Sequence, residues 1–497
     1  GAINMGTSVN AQPVSVTVTD IMTSGYGASA ITAQSIGGGG GLLGYYVPQG
    51  SIPQGTISGS GTLGGYGNGH GSDGSQVTVK VNGYITTNGD MSPMIIAQSI
   101  GGGGGRVVGN ASIYQDVPGI KLGDSYSNGE SRAVSVTTAY PLASGGNNSP
   151  GIIAQSIGGG GGILNFPTSS LSNVQFGGYN SASDSVTVTT NGSITTLGYG
   201  SFGILAQSIA GGGGFASMSG TATFGSLTTS GGNNAGSVTV TNNAAISTNQ
   251  NASPGIIAVS IGGGGGLGIL TEATPGYGGS AAIGMILGSQ NTSHGDASSV
   301  TINSGGIIVT NGDQAEGIVA QSISDGGGVA KASIVSALSG TQWGTGLGTA
   351  SWSNGHVNVS ANSGLAASVQ LGSNSSNGNN SDNVTITSSS QITTYGNRST
   401  AIVAQSISGG GGIVDLTFNN LNGGNFTGSV TMGGVAPGQV GAVNVTSNSG
   451  IVTGTINSKN SGIFADGVVA QSITYGGGSF GLVHQTNAST GNGSLNF

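Results

Sequence analysis

Cysteine is absent from the 497 residues, so neither a disulfide nor a thiolate metal site can hold the fold together. Charge is scarce as well: Asp, Glu, Lys and Arg make up 4% of the chain. The seven basic residues, Lys80, Arg106, Lys121, Arg132, Lys331, Arg398 and Lys459, are scattered, and the net charge is −8. No cationic patch is left to neutralise phosphates, which argues against nucleic acid or an anionic membrane as partner. No run approaches the eighteen or so uninterrupted apolar residues of a membrane helix, so this segment is not expected to insert. The chain opens at Gly1 without a charged and apolar leader; an exported protein of this kind would be in its mature form.

What the chain has instead is glycine, 104 of it. Such a bias alone indicates disorder, but here regularly placed Val and Ile accompany it and argue for an ordered fold. One motif recurs eight times: Ile-x-Ala-Gln-Ser-Ile followed by a five-residue glycine-rich run, starting at Ile31, Ile95, Ile152, Ile204, Ile256, Ile318, Ile402 and Val468. Its Ala-Gln-Ser-Ile core changes once, where Val259 replaces Gln. Repeats of this period mean a stacked array, read as one body over 1–497.

Ahead of each motif lies a pair such as Val77/Val79, Val186/Val188 or Val300/Ile302, with Thr or Ser between, the period of a strand with one buried face. In six repeats the first of the pair precedes the motif by 18 residues, and a fixed count implies a fixed path. A turn such as Asn82-Gly83 and a short strand such as Ile194-Thr195-Thr196 fill the interval. Each repeat thus contributes three strands. The predicted fold is all-β: an elongated right-handed parallel β-solenoid of about eight irregular repeats. The end repeats differ, with 15 residues from Val16 to Ile31 and 25 from Val443 to Val468.

Within the motif, Ile152, Ala154 and Ser156 share one face while Ile153, Gln155 and Ile157 share the other. Both faces are rich in apolar residues, so a further layer is expected to cover the second. The predicted structural ladder comprises Gln34, Gln98, Gln155, Gln207, Gln321, Gln405 and Gln471, with Ser35, Ser99, Ser156, Ser208, Ser260, Ser322, Ser406 and Ser472 beside them. The glycine runs are predicted to stack as a rigid column through Gly39, Gly103, Gly160, Gly212, Gly264, Gly326, Gly410 and Gly476, as side-by-side left-handed extended chains exchanging N–H···O and weaker bonds. Substitutions there, Ala210, Ser324-Asp325, Ser408 and Thr474-Tyr475, avoid the last three places, so the tightest approach is expected at the third to fifth.

Segments of variable length follow the glycines, and most carry alternating apolar pieces, for example 215–224 or 413–418 with 426–432. They are read as hairpin-like strands forming the additional layer. The largest segment, 329–383, holds Trp343 and Trp352 and is read as a protrusion.

No recognisable active site emerges, and no cofactor is called for. The runs lack the following helix or Gly-Lys-Ser/Thr of nucleotide-binding loops. His70, His294, His356 and His484 are isolated, as solvated loop residues are. The acids near strand ends, the pair Asp313/Glu316 and the single Asp382, lie in two different repeats and read as solubilising turn charges rather than a glycosidase pair. Asp73 and Asp325 beside glycines do not recur with the period, so any calcium is confined to a single loop. The Thr column Thr78, Thr187, Thr239, Thr301 and Thr385 fits ordinary solvent-facing strands better than an ice-binding face.

The stretch Gly-Ile-Ile-Ala-Gln-Ser-Ile-Gly-Gly-Gly-Gly-Gly at 151–162, with Val-Thr-Val-Thr-Thr-Asn-Gly-Ser-Ile-Thr-Thr at 186–196 and its equivalents, resembles the passenger regions of large bacterial autotransporter-like surface proteins. That resemblance spans nearly the whole chain. It implies export across a Gram-negative envelope, an extracellular or cell-surface location and a role in adhesion, aggregation or surface structure, without common catalytic residues. The chain departs from it in showing neither a carboxy-terminal membrane barrel nor a leader. The function expected is non-enzymatic: a rigid surface fibre or matrix built on itself by head-to-tail stacking. The alternative is an adhesin that binds glycans or other cells through Trp343, Trp352, Tyr45, Tyr46 and Tyr66.

Overall fold

The computed structural model describes residues 3–5, 9–46, 61–64, 72–110, 117–123, 129–178, 181–225, 234–271, 281–288, 295–335, 349–353, 356–360, 365–372, 378–419, 426–434, 437–455, 462–485 and 493–496. Among them there is no helix. Strands stack in three parallel sheets of eight and one of sixteen.

The first sheet holds the Val-x-Val strands, from Val14–Val18 through Val186–Thr190 to Val443–Ser447. The second holds the short strands, Ile21–Thr23 through Ile194–Thr196 to Ile451–Thr453. The third holds the motif, Ile31–Ile36 through Ile204–Ile209 to Val468–Ile473. Equivalent letters sit over one another: Ile152 pairs with Ile95 below and Ile204 above, and Gln155 with Gln98 and Gln207. At about 4.8 Å per step the eight coils rise roughly 34 Å.

Register corrects the reading of the first repeat. Val14, not Val16, pairs with Val77. Seventeen residues therefore separate it from Ile31, one fewer than in the regular repeats, and the missing residue belongs to the turn at Thr19-Asp20. Asp20 Oδ1 there accepts the Tyr84 N–H at 2.7 Å, tying the shortened turn to the next coil.

The three sheets enclose a prism filled by the inward letters, for example Val186, Val188, Ile194, Ile204 and Ala206, all fully buried. Each large aliphatic side chain contributes about 1.5–3 kcal/mol on burial, and the set recurs in every coil. Small Ala is required where the motif strand faces the other two across a narrow interior. Corners are closed by side chains: Ser144 Oγ donates to Ser149 O at 2.6 Å and Thr248 Oγ1 to Ser253 O at 2.5 Å.

The covering layer is present, but its strands are not hairpins. The sixteen-residue strand Gly161–Phe176 pairs in parallel with Gly213–Phe224. That second strand continues upward in two pieces, Gly265–Thr271 and Ala281–Leu287, both parallel to it. The strand folds back on itself, because its flanks meet: Gly178 N–H donates to Gly159 O at 2.8 Å. Its halves close around a second core of Leu164, Phe166, Leu171, Val174 and Phe176, and Phe176 stacks on Phe224 with centroids 4.4 Å apart. A third cluster, including Ile153, Leu205, Ile163 and Phe215, fills the space between this lobe and the prism. Each coil is thus a figure of eight.

Within 329–383, Gly327–Val335 and Leu365–Leu371 are strands of the stack, so the whole segment is not one protrusion. Thr349–Ser353 with His356–Ser360 is the one antiparallel pair among the described residues.

Candidate functional site

The columns that run through the stack are the features to build from. On the outward face of the motif strand, amides join coil to coil. Gln34 Nε2 donates to Gln98 Oε1 at 2.6 Å, Gln98 to Gln155 and Gln155 to Gln207 at 2.7 Å. Beyond the gap, Gln321 donates to Gln405 at 2.8 Å and Gln405 to Gln471 at 2.7 Å. All donors point the same way. Val259 breaks the series, and the buried Gln207 Nε2 and Gln321 Oε1 on either side of it have no hydrogen-bond partner among the described residues.

The serines behave differently: they do not bond to one another along the column. Each pins the segment that returns to the first sheet. Ser156 Oγ donates to Arg132 O at 3.1 Å and accepts the Asp184 N–H at 3.0 Å. Ser208 Oγ donates to Asp184 O at 2.8 Å and accepts the Gly236 N–H at 2.8 Å. Ser35, Ser99, Ser260, Ser322, Ser406 and Ser472 bond to the same segment, of their own coil or of the next.

The glycine runs form the waist of the figure of eight. They are not ordinary left-handed extended chains, for their φ angles are positive: +92° at Gly160, +142° at Gly161 and +135° at Gly162. Runs exchange backbone bonds, as in Gly212 N–H to Gly158 O at 2.7 Å and Gly213 N–H to Gly160 O at 3.2 Å. At the third place a Cβ would lie 2.5 Å from the Cα of a second glycine: Gly103 against Gly64, Gly160 against Gly123, Gly212 against Gly177 and Gly264 against Gly225. Gly326, Gly410 and Gly476 face Gly288, Gly372 and Gly433 in the same manner, and Gly39 shares the conformation at φ +86°. A Cβ at the fourth or fifth place would overlap a carbonyl oxygen of the neighbouring run, except at Gly41 and Gly477, which face the two open ends of the stack. The second place is looser, and Asp325 and Tyr475 occupy it at φ +61° and +70°.

The facing glycines close the outer lobe and were not anticipated from the sequence. Their signal is an apolar-Gly pair at the end of each outer segment: Leu122-Gly123, Phe176-Gly177, Phe224-Gly225, Leu287-Gly288 and Leu371-Gly372.

One reading of a charged residue requires correction. Glu316 is no turn charge: it is buried against Lys331, whose Nζ lies 2.6 and 2.7 Å from its two oxygens. Burial pushes its carboxyl up to about 7 against the pull of Lys331. Asp415 and Arg398 complete this buried group, and burial lowers the Arg398 guanidinium from its ordinary value. Asp325 is also buried; its Oδ1 accepts from Asn379 Nδ2, and burial raises its carboxyl to about 6. Asp313 and Asp73 accept backbone N–H groups of the coil above, at Asn397 and Glu130.

Among the described residues no three His, Asp or Glu side chains converge as metal ligands. His356 and His484 lie on strands, whereas His70 and His294 fall outside the described residues. Of the residues considered for adhesion, Tyr45 packs partly buried on Phe166, with centroids 6.3 Å apart. Trp343 and Tyr66 lie outside the described residues, as do the side chains of Trp352 and Tyr46. No family model, no curated protein and no solved structure matches the chain.

Proposed function

We propose that the chain is an extracellular structural protein whose coils build a stiff surface fibre or matrix on a Gram-negative cell, extended by head-to-tail contact with further copies. The observation that carries this reading is the one-way polarity of columns that reach both terminal coils. Every Gln bond runs Nε2 to Oε1 from the Gln34 end toward the Gln471 end. The strands of these coils stand at the edges of their sheets, where parallel ladders offer unpaired backbone groups. A second copy laid with its first coil on the last would set Gln34 over Gln471 and Gly40 over Gly477. The apolar cross-section is open there too, with Phe464 68% and Val468 44% exposed.

Sedimentation of the purified chain against concentration, with micrographs, tests the proposal. Filaments or end-to-end rods that shorten when Gln34 and Gln471 are changed to Glu support it; a monodisperse monomer at high concentration refutes it.

A second reading, an adhesin binding glycans or other cells, is favoured by the antiparallel pair carrying Trp352, since it departs from the parallel stack. Its test is glycan binding lost on deleting 336–364, a cut that spares the stack strands on either side.

A further inference from the structure

A chain with so few charges places four of them, Glu316, Lys331, Arg398 and Asp415, together out of water. We propose that this group is a self-modification site, at which Lys331 Nζ and the Asp415 side chain condense to an intramolecular amide that staples two adjacent coils.

The reacting residues are register partners on neighbouring parallel strands, Gly327–Val335 and Gly411–Asn419. Lys331 Nζ lies 3.5 Å from Asp415 Oδ2, and the two side chains are 0% and 8% exposed. Oδ2 is one bond from Cγ, the carbon that must come within about 3–3.5 Å of Nζ for attack. Lys331 is held by Gln314 O at 2.9 Å as well as by Glu316.

Glu316 is placed to move protons rather than to be attacked. Hydrogen-bonded to both of its oxygens at once, the amine lies edge-on in the carboxyl plane, away from the approach to carbon. Attack needs the lone pair on nitrogen, and Glu316 is the base within hydrogen-bond reach that can take the proton covering it. The raised Glu316 carboxyl is consistent with that exchange.

The step balances without an oxidant. Two protons pass from the Lys331 ammonium by way of Glu316 to one oxygen of the Asp415 carboxylate; the Nζ–Cγ bond forms, the bond from Cγ to that oxygen breaks, and the oxygen leaves as water. Glu316 ends as it began. Arg398, 4% exposed, supplies positive charge toward the oxygen that becomes anionic. Its Nη1 donates to Leu416 O at 2.6 Å, its Nη2 is bonded to Thr417 Oγ1, and its buried Nε makes no hydrogen bond among the described residues. Above Asp415 the register partner is Gly481, where a Cβ would lie 2.6 Å from Oδ1, so the bare backbone leaves room at the carboxyl. The amide also removes two buried charges, whose desolvation opposes folding.

Intact mass of the folded full chain, measured in denaturant, tests the assignment. The expected mass is one water below that of the sequence, with fragmentation joining Lys331 to Asp415. Glu316→Gln and Lys331→Arg should keep full mass, and Asp415→Asn should lose ammonia in place of water. A folded wild-type chain of full mass overturns the proposal. So does water lost as a succinimide elsewhere or as a Lys331–Glu316 link, and so does a Glu316→Gln chain that still condenses.

Discussion

Val259→Gln should make the protein more stable, although it replaces a buried apolar residue by an amide. Val259 is 1% exposed in the column where its neighbours are Gln, and it leaves Gln207 Nε2 and Gln321 Oε1 buried without partners among the described residues. Each such group costs roughly 1–3 kcal/mol. A Gln at 259, in the rotamer of the column, satisfies both and adds two bonds of the kind seen from Gln98 to Gln155 at 2.7 Å. Against this stand up to about 2 kcal/mol of side-chain entropy and a smaller apolar contribution, leaving a net gain of about 1–3 kcal/mol. A global melt is a poor readout, since unfolding entropy near 2 cal/mol/K per residue spreads each kcal/mol over about 1 °C in a chain of this size. Native-state amide exchange of Ile204–Ile209, Ile256–Ile261 and Ile318–Ile323 reads the effect locally, as about 5- to 150-fold slower opening. Val259→Leu, which adds volume without an amide, should not slow it. Unchanged or faster exchange in a natively folded Val259→Gln chain would refute the argument that the two amides are unsatisfied.

At the waist, Gly264→Ala should destabilise by several kcal/mol, because its Cβ meets the Cα of Gly225, whereas Gly263→Asn, at the place Asp325 already fills, should cost less than about 1 kcal/mol; paired urea titrations compare them. Ser156→Ala orphans the Asp184 N–H and should cost about 1–3 kcal/mol, read as faster exchange of 184–190. Asp325 has a folded value near 6, above its ordinary 3.8, so the native state holds its proton more tightly and stability falls as pH rises from about 4 to 6. Asp325→Asn should flatten that slope and stabilise the chain above pH 6, as urea midpoints across pH would show.

The sequence was most legible where a letter recurs at a fixed count. Strand faces followed from Val-Thr-Val alternation. Burial on both sides of the motif followed from Ile at its first and last positions and from Val259 in the amide column, and that burial demanded a covering layer. Less was legible where the chain doubles back. Outer segments differ in length from coil to coil, so their apolar pieces looked like hairpins, and only the recurring apolar-Gly pair marked the point of return. The first repeat misled for a related reason: Val14, Val16 and Val18 offer two registers, and pairing with Val77 selects the first. Glu316 misled because its partner Lys331 lies across the waist, in the outer lobe. Burial on that scale has no local signature.

The central claim is that equivalent letters lie directly over one another through the whole stack. The absence of cysteine makes it testable with paired spin labels on the outward positions of the first sheet. Ser15→Cys with Thr385→Cys spans six coil steps, and Thr78→Cys with Thr385→Cys spans five. Pulsed dipolar spectroscopy should return narrow distributions near roughly 29 and 24 Å, separated by about one 4.8 Å step. Broad distributions, or distances that grow with the number of intervening residues rather than the number of coils, would contradict the stack and the function proposed from it.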